Sequence, residues 1–499
     1  IAQIRHLDAL AAEEVPKVEI SLPEIEEKEV FRKHLELLCQ SAVAKAFPDM
    51  VTISLVGFGS LASGFATPGS DMDLSVVPSL KHDTLAVLYE HSIKQRIPRL
   101  LEGAILEANI GGRLLTRTRV PILKVCEKPN ETLFKALSDE RKKWEELPEA
   151  ERYIDPPPQP KSTQKPIPGA GTDTAAQTAV KSEPATGNSK ETTTPSMPSP
   201  LSEPNRSVNN GENNGGTEPK ERVPRSERAW AREKVLGPLD FPKDGVGIQC
   251  DINFENPLGI QNTHLLRCYS LTDPRVRPMV LFVKSWAKRR KINSSYSGTL
   301  SSYGWVLMVL HYLVNVAHPP VCPNLQLCAQ QPRNLEGLEQ MFQESKVGGY
   351  EVRYWKDEEE IMQAAYVGRL TQNRQSVGAL LRGFFSYYAA VSPGYVYGAR
   401  PPSFHWTTEA LSLRTPNGIR LKQEKGWTGA KTTISGGKEV RHRYLLAIED
   451  PFELDHNVAR TVTHPGIVAI RDEFRRAWRI LCAISRNETP SEGGLFDEI

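Results

Sequence analysis

Long apolar runs are missing from this chain of 499 residues. The longest, Trp305-Val-Leu-Met-Val-Leu310, falls far short of the roughly 20 residues that a membrane helix needs, so no membrane partner is expected. Cys-x-x-Cys pairs are missing too. The seven cysteines (Cys39, Cys126, Cys250, Cys268, Cys322, Cys328 and Cys482) are scattered, which argues against a zinc site and against a disulfide framework. Reduced thiols fit a cytoplasmic location, or a nuclear one. Net charge is nearly absent: 62 Lys and Arg against 60 Asp and Glu leave +2. Affinity for nucleic acid would therefore have to come from local basic patches. No internal repeat is evident. No signal peptide is recognisable at the start, where residue 1 is Ile rather than Met.

The length allows two or three domains. Residues 1–23 are weakly patterned and read as a flexible N-terminus. Residues 24–47 read as an amphipathic helix, with Val30, Phe31, Leu35, Leu38, Ala42 and Ala46 at helical spacing. A sheet segment follows from Val51 to Val125, through a helix over 80–110 and strands over 112–118 and 120–125. The composition then breaks. Residues 155–224 are rich in Pro, Ser, Thr, Gly, Asn and Lys and nearly devoid of large apolar side chains. Such a stretch cannot offset its ordering entropy and reads as disordered, the core of an insertion over 127–243. The fold should tolerate it, because loop-closure entropy grows slowly with length. An alternating strand over 245–254 resumes the sheet. Beyond it the pattern is mainly helical, near 262–271, 274–291, 299–317, 336–343, 376–389, 405–409 and 466–484. Residues 486–499 read as a flexible tail.

Chemistry concentrates in Val51-Thr-Ile-Ser-Leu-Val-Gly-Phe58-Gly59-Ser60, followed by Gly69-Ser-Asp71-Met-Asp73-Leu-Ser-Val-Val. The first run predicts a strand, then a Gly-Ser turn opening a short helix. The second predicts a strand with two carboxylates two residues apart, hence on one face. Parallel carboxylates are costly unless a cation lies between them. A hard divalent ion suits them, since Mg²⁺ binds through one or two carboxylates plus substrate phosphates. The Gly59-Ser60 turn offers backbone N–H groups to an anion. A lone Asp-x-Asp is usually a solvated turn; the two features together point to nucleotidyl transfer. Two-metal transfer also wants a third acid, and Asp251 stands in the later strand with Cys250 and Ile252 facing the other way. Lys284 and Lys288 share a helix face at i and i+4. Gly298-Thr-Leu-Ser-Ser302-Tyr303-Gly predicts a helix start with hydroxyls for phosphate and a flat ring for a base. A solvated basic stripe and an ordinary core aromatic are the plainer alternatives for the lysines and the tyrosine.

These runs, with Cys-Asp251-Ile-Asn-Phe, Asn262-Thr, Leu-Phe-Val-Lys284-Ser-Trp-Ala-Lys288, Pro323-Asn-Leu-Gln, Glu424-Lys-Gly-Trp427 and Ile-Glu-Asp450-Pro-Phe-Glu453-Leu-Asp-His456-Asn, resemble the terminal uridylyltransferase and cytoplasmic poly(A) polymerase family. That family belongs to the polymerase β-like nucleotidyltransferases, and the likeness is nearest to its minimal fungal members. It covers most of residues 24–485 apart from the insertion.

The resemblance implies a bilobal α+β fold. Residues 48–258 would form a catalytic domain with a mixed sheet. Residues 259–485 would form a mostly helical lobe, against which helix 24–47 packs. Asp71, Asp73 and Asp251 would be the catalytic metal ligands for Mg²⁺, with Mn²⁺ as its substitute. Phe58, Gly59, Ser60, Lys284, Lys288 and Ser302 would hold the triphosphate, Asn262 the ribose and Tyr303 the base. Asp450, Glu453 and His456 match the base-edge loop, where a His favours UTP and excludes purines by its bulk. Gly259 and Ala459 depart from the Ala and Gly usual in relatives, close to the expected sugar and base.

The implied enzyme is a monomer that adds pyrimidine nucleotides, UMP foremost, to RNA 3′ ends and marks RNA for decay. CMP addition and poly(A) addition are the alternatives, and an inactive RNA-binding scaffold is the reading from another class. RNA contacts are expected from Asn256, Arg113, Arg117, Arg119, Arg460 and the run Lys288 to Lys291.

Overall fold

The structure is a computed structural model and describes residues 1–116, 121–152, 236–329, 339, 345–390, 403–435 and 438–499. The chain divides into two compact units, and all described residues belong to the one formed by Ile1–Tyr153 and Ala229–Ile499. The expected disorder over 155–224, the expected helix over 336–343 apart from residue 339, Arg117 and Arg119 lie outside the described residues.

A five-stranded mixed sheet has the order β1-β2-β5-β4-β3. Its strands are β1 (Val51–Phe58), β2 (Met72–Leu80), β3 (Gly111–Leu115), β4 (Ile122–Cys126) and β5 (Gln249–Phe254). Only β2 and β5 run parallel. β5 slots between β2 and β4, so the strand that follows the insertion completes the middle of the sheet. Alternation sends Leu74, Ile252 and Leu123 to one face. They meet Phe31, Leu35, Cys39 and Val43 of α2 (Leu22–Ala46), and Ile97, Leu101 and Ile105 of helix Lys94–Glu107.

A second core gathers the helices Pro257–Thr272, Val276–Arg289, Ser302–His311, Val377–Ala389 and His464–Ser485. Trp286, Trp305, Phe384, Phe385 and Phe474 pack at its centre, with edge-on and tilted ring pairs. The fold is thus α+β with a mixed-sheet lobe and a mostly helical one.

Four expectations about the chain need correction. The N-terminus is not frayed: α1 (Ala2–Lys17) buries Leu7, Ala11 and Val15 in the helical core, and Asp8 accepts from Gly378 N–H at 2.6 Å. Helix 24–47 packs on the sheet lobe rather than on the helical one, and Val30 points outward at 69% exposure. Its buried stripe passes through Cys39 and Val43, which were left out of the predicted face.

The C-terminal tail is docked as well. Leu495 and Phe496 are buried, and the Phe496 ring meets that of Phe282 at 4.8 Å. Residues 405–408 form a turn leading into a short strand, Glu409–Leu411, not a helix. The described edges of the insertion also carry structure: helix Glu131–Glu145 packs Leu133 and Leu137 on Leu106, Cys126 and Val246. All seven cysteines are free, and five are buried. Among the described residues no helix is long and apolar enough to cross a membrane.

Candidate active site

Strand register aligns one row of side chains across the sheet. Phe58 pairs with Asp73, Asp73 with Asp251, Asp251 with Lys124, and Lys124 with Arg113. Paired residues on neighbouring strands face the same side. The opposite side is the apolar core, so this row faces away from it. Asp71 sits on the exposed turn just before β2 rather than within the strand. The turn is tied down by Glu24, which accepts from Gly69 N–H at 2.9 Å and from the buried Lys28 ammonium.

The carboxylates strain against each other. Burial pushes the Asp73 carboxyl up to about 7; Asp251 and then Asp71 add to the effect, while Lys124 and Lys284 oppose it. Asp71 is raised as well, by partial desolvation and then by Asp251, against Lys124, Lys28 and Lys288. Lys124 is the partner that sequence reasoning missed. Its Nζ donates to Asp251 Oδ1 at 2.8 Å. Burial acts to lower its affinity for the proton, but Asp251 first, then Asp71 and Asp73, hold the ammonium above the ordinary lysine range. One signal was available: a lone Lys in the strand Ile-Leu-Lys124-Val-Cys, between two buried residues, has to face the polar side.

Among the described residues no three His, Cys, Asp or Glu side chains close up into a metal cage by themselves. The donor set nevertheless fits a hard cation. Three carboxylates repel one another on one surface, and one of them is held by an ammonium in place of a metal's charge.

Gly59 follows β1 with φ +74°, and a Cβ there would collide with Asp73 Oδ2. Only glycine allows the turn to approach the carboxylate so closely. Its N–H, expected to face phosphate, donates instead to Thr263 Oγ1 at 2.8 Å. Phe58 and Ser60 are half-buried beside it. Lys284 is buried, and its Nζ donates to Phe65 O at 2.6 Å. Burial and then Lys288 bring it down to about 8, against the pull of Asp73. Lys288 is exposed one turn later. Ser302 is exposed at the start of its helix and donates to Asn293 Oδ1 at 3.2 Å.

Asp450 gathers the remaining residues. Its Oδ1 accepts from the N–H groups of Phe452 and Glu453 at 3.0 Å each. Its Oδ2 accepts from Tyr303 OH at 3.1 Å and from Asn262 Nδ2 at 3.2 Å. Burial raises the Asp450 carboxyl despite these four donors. The Tyr303 hydroxyl is pushed well up by its burial and by Asp450. Tyr303 is therefore neither an unattached ring nor plain core: a half-buried ring is anchored at its hydroxyl end. Asp450 also opens a tight loop. His456 N–H donates to Glu453 O, and Asp450 N–H to His456 O. Buried Asn457 pins the loop base by accepting from Ile448 and Ala459 N–H. His456 is thus held half-buried at the loop's end, and Tyr350 OH reaches Glu453 at 3.4 Å.

Several expected RNA contacts are committed elsewhere. Arg113 pairs with Asp240 at 2.9 Å, Arg289 with Glu14 at 2.7 Å, and buried Arg290 with Glu473 at 2.8 Å. Asn256 caps the helix Pro257–Thr272 through Gly259 N–H at 3.1 Å. This cap explains Gly259, since a Cβ there would collide with the Asn256 amide. Arg460 is exposed beyond the loop.

Comparison with known proteins agrees with this geometry. The profile of the "Cid1 family poly A polymerase" matches residues 376–456, which include the Asp450 loop. That of the "Poly(A) RNA polymerase, mitochondrial-like, central palm domain" matches residues 12–135 and 239–271, which include the carboxylates. Terminal uridylyltransferase cid1 of Schizosaccharomyces pombe is 45% identical over 271 residues, 54% of this chain and 59% of the relative. Poly(A) RNA polymerase GLD2 of Rattus norvegicus is 32% identical over 235 residues, 47% of this chain and 39% of that protein. The chain therefore spans less than two thirds of these curated relatives.

A solved structure of Cid1 superposes with a TM-score of 0.61 at 29% identity, covering 99% of this chain and 98% of that one. Another, of Cid1 with its short product ApU, gives 0.58 at 29% identity, covering 99% of each. The profile matches reach both halves of the chain, and in sequence and fold it is similar to terminal uridylyltransferases and poly(A) RNA polymerases.

Proposed function

We propose that this protein adds pyrimidine nucleotides, UMP foremost, from nucleoside triphosphates to RNA 3′ ends without a template. The observation that carries the reading is the joint geometry of the carboxylate row and the Asp450 network. Sequence likeness to a terminal uridylyltransferase supports it. A divalent cation, Mg²⁺ or Mn²⁺, would be held by Asp71, Asp73 and Asp251, and when bound it supplies positive charge for the triphosphate and the attacking 3′-oxygen.

The chain's own residues do the rest. Asp251 takes the proton of the 3′-hydroxyl, the 3′-oxygen attacks the α-phosphorus in line, and pyrophosphate leaves. Lys288, exposed and near enough for its charge to act on Asp71, steadies the triphosphate. Asp450 locks Tyr303 and Asn262 so that base and ribose meet a surface already in place, which lowers the ordering cost of binding. His456 fills space that a purine needs. A cytoplasmic monomer that marks RNA for decay completes the proposal.

Extension of a labelled RNA with Mg²⁺ and each of the four triphosphates tests it, beside the Asp71→Ala/Asp73→Ala control. UTP should be used best and the control should be inert. His456→Asn should raise use of ATP relative to UTP by about tenfold, a difference of about 1.4 kcal/mol. Best use of CTP or ATP by the intact chain would overturn the uridylyl assignment, and no extension at all would bring the scaffold reading forward.

A further inference from the structure

A cavity of about 510 Å³ is lined by residues of the C-terminal half, including Glu449, Leu454 and Asp455 on either side of Asp450, and by none of the three carboxylates. Its lining includes Glu449, Leu454 and Asp455 together with Arg353, Arg414 and Arg420. Glu351 is shared between two of these guanidiniums, at 3.1 Å from Arg414 and 3.5 Å from Arg353. Arg420 is 3.9 Å from Glu424, a loose pairing. Lys425 is not available, because it is closed in a buried pair with Glu449 and also donates to Leu454 O. Three guanidiniums thus share two carboxylates, with Asp455 at the rim.

Two polar atoms on the lining are buried without a hydrogen-bond partner: Gln326 Oε1, on a side chain only 7% exposed, and Thr415 Oγ1. A buried acceptor left unpaired costs about 1–3 kcal/mol, so it marks a place where a donor belongs. Gln326 is well fixed, since its Nε2 donates to Pro451 O at 3.0 Å, within the loop that carries His456.

We infer that this cavity is a second binding site, for a ribonucleotide unit bearing a phosphate. Planar guanidiniums suit the phosphate. Ribose hydroxyls or base N–H groups suit Gln326 Oε1, Thr415 and the rim carboxylates. The volume falls within the range of small-molecule sites. The unit is either a free nucleotide or a residue of the RNA strand. The choice of ligand rests on the proposed function, but binding does not require catalysis.

Calorimetric titration of the full chain with uridine 5′-monophosphate, and separately with a short oligouridylate, tests the inference. The nucleotide should show two sites, one lost in Arg353→Gln/Arg414→Gln and the other weakened in Tyr303→Ala. A single nucleotide site, with oligouridylate binding about tenfold weaker in the arginine variant, would also support the cavity and identify the strand as the source. Arg420→Glu, a change at the half-exposed rim, serves as a second variant, and thermal melts check that both are folded. Both isotherms unchanged in both variants would overturn the inference. A chain inert in RNA extension but still showing arginine-dependent binding would sink the proposed function and leave the cavity standing.

Discussion

At the scale of single residues, the carboxylate row explains why Gly59 and Lys124 matter as much as the acids. Gly59 lets backbone reach Asp73, and Lys124 offsets part of a repulsion that would otherwise oppose folding. Asp73 makes that repulsion measurable. Its folded-state value of about 7 lies above the usual carboxylate value of 3.8, so the folded state binds the proton more tightly. Metal-free stability should therefore fall as pH rises from about 4 to about 7, and level off above that. At pH 8 without divalent ions, Asp73→Asn should melt about 2–4 °C higher than the intact chain. Added Mg²⁺ should stabilise the intact chain and leave the variant nearly unmoved. A lower melting point for the variant in the absence of metal would show that the row is not under electrostatic strain.

At the scale of elements, the helix Pro257–Thr272 shows how one cap restricts a neighbouring position. Asn256 accepts from Gly259 N–H, and the space its amide occupies leaves no room for a Cβ at residue 259. Asn256→Ala should cost about 1 kcal/mol. Gly259→Ala should displace the amide and cost a similar amount, while the double variant should cost no more than either single change. That non-additivity, read from denaturant melts, is the signature of a shared contact. Additive losses would separate the two positions.

Elements were also what sequence pattern revealed best. The helices expected over 262–271, 274–291, 376–389 and 466–484 lie within a few residues of those observed, since each carries an apolar stripe and several begin at a Ser, Thr or Asn cap. Helix Glu358–Tyr366 was missed: only Ile361 and Ala364 face inward, so its apolar signal is short.

At the scale of the whole molecule, both chain ends hold the helical lobe together. Leu7 is fully buried, Gln3 donates to Leu481 O at 2.8 Å, and Arg290 joins Glu473 and Asp497 O. Leu7→Ala should cost about 2–5 kcal/mol, as a cavity in a packed core does, and should lower the midpoint of urea unfolding with no change in which triphosphate is preferred. A change below 0.5 kcal/mol would mean that α1 is not part of the folded core.

Local pattern by itself determined the glycine turn and the strands that carry Asp73 and Asp251, because strand alternation and helix periodicity depend on near neighbours in the chain. Tertiary structure decided what depends on distant residues. It aligned Asp73, Asp251 and Lys124 by strand register, drew Asn262 and Tyr303 onto Asp450, and took Arg113, Arg289 and Arg290 for ion pairs. It also turned two unpatterned ends into packed structure, because a short apolar stripe carries little signal until its partner surface exists.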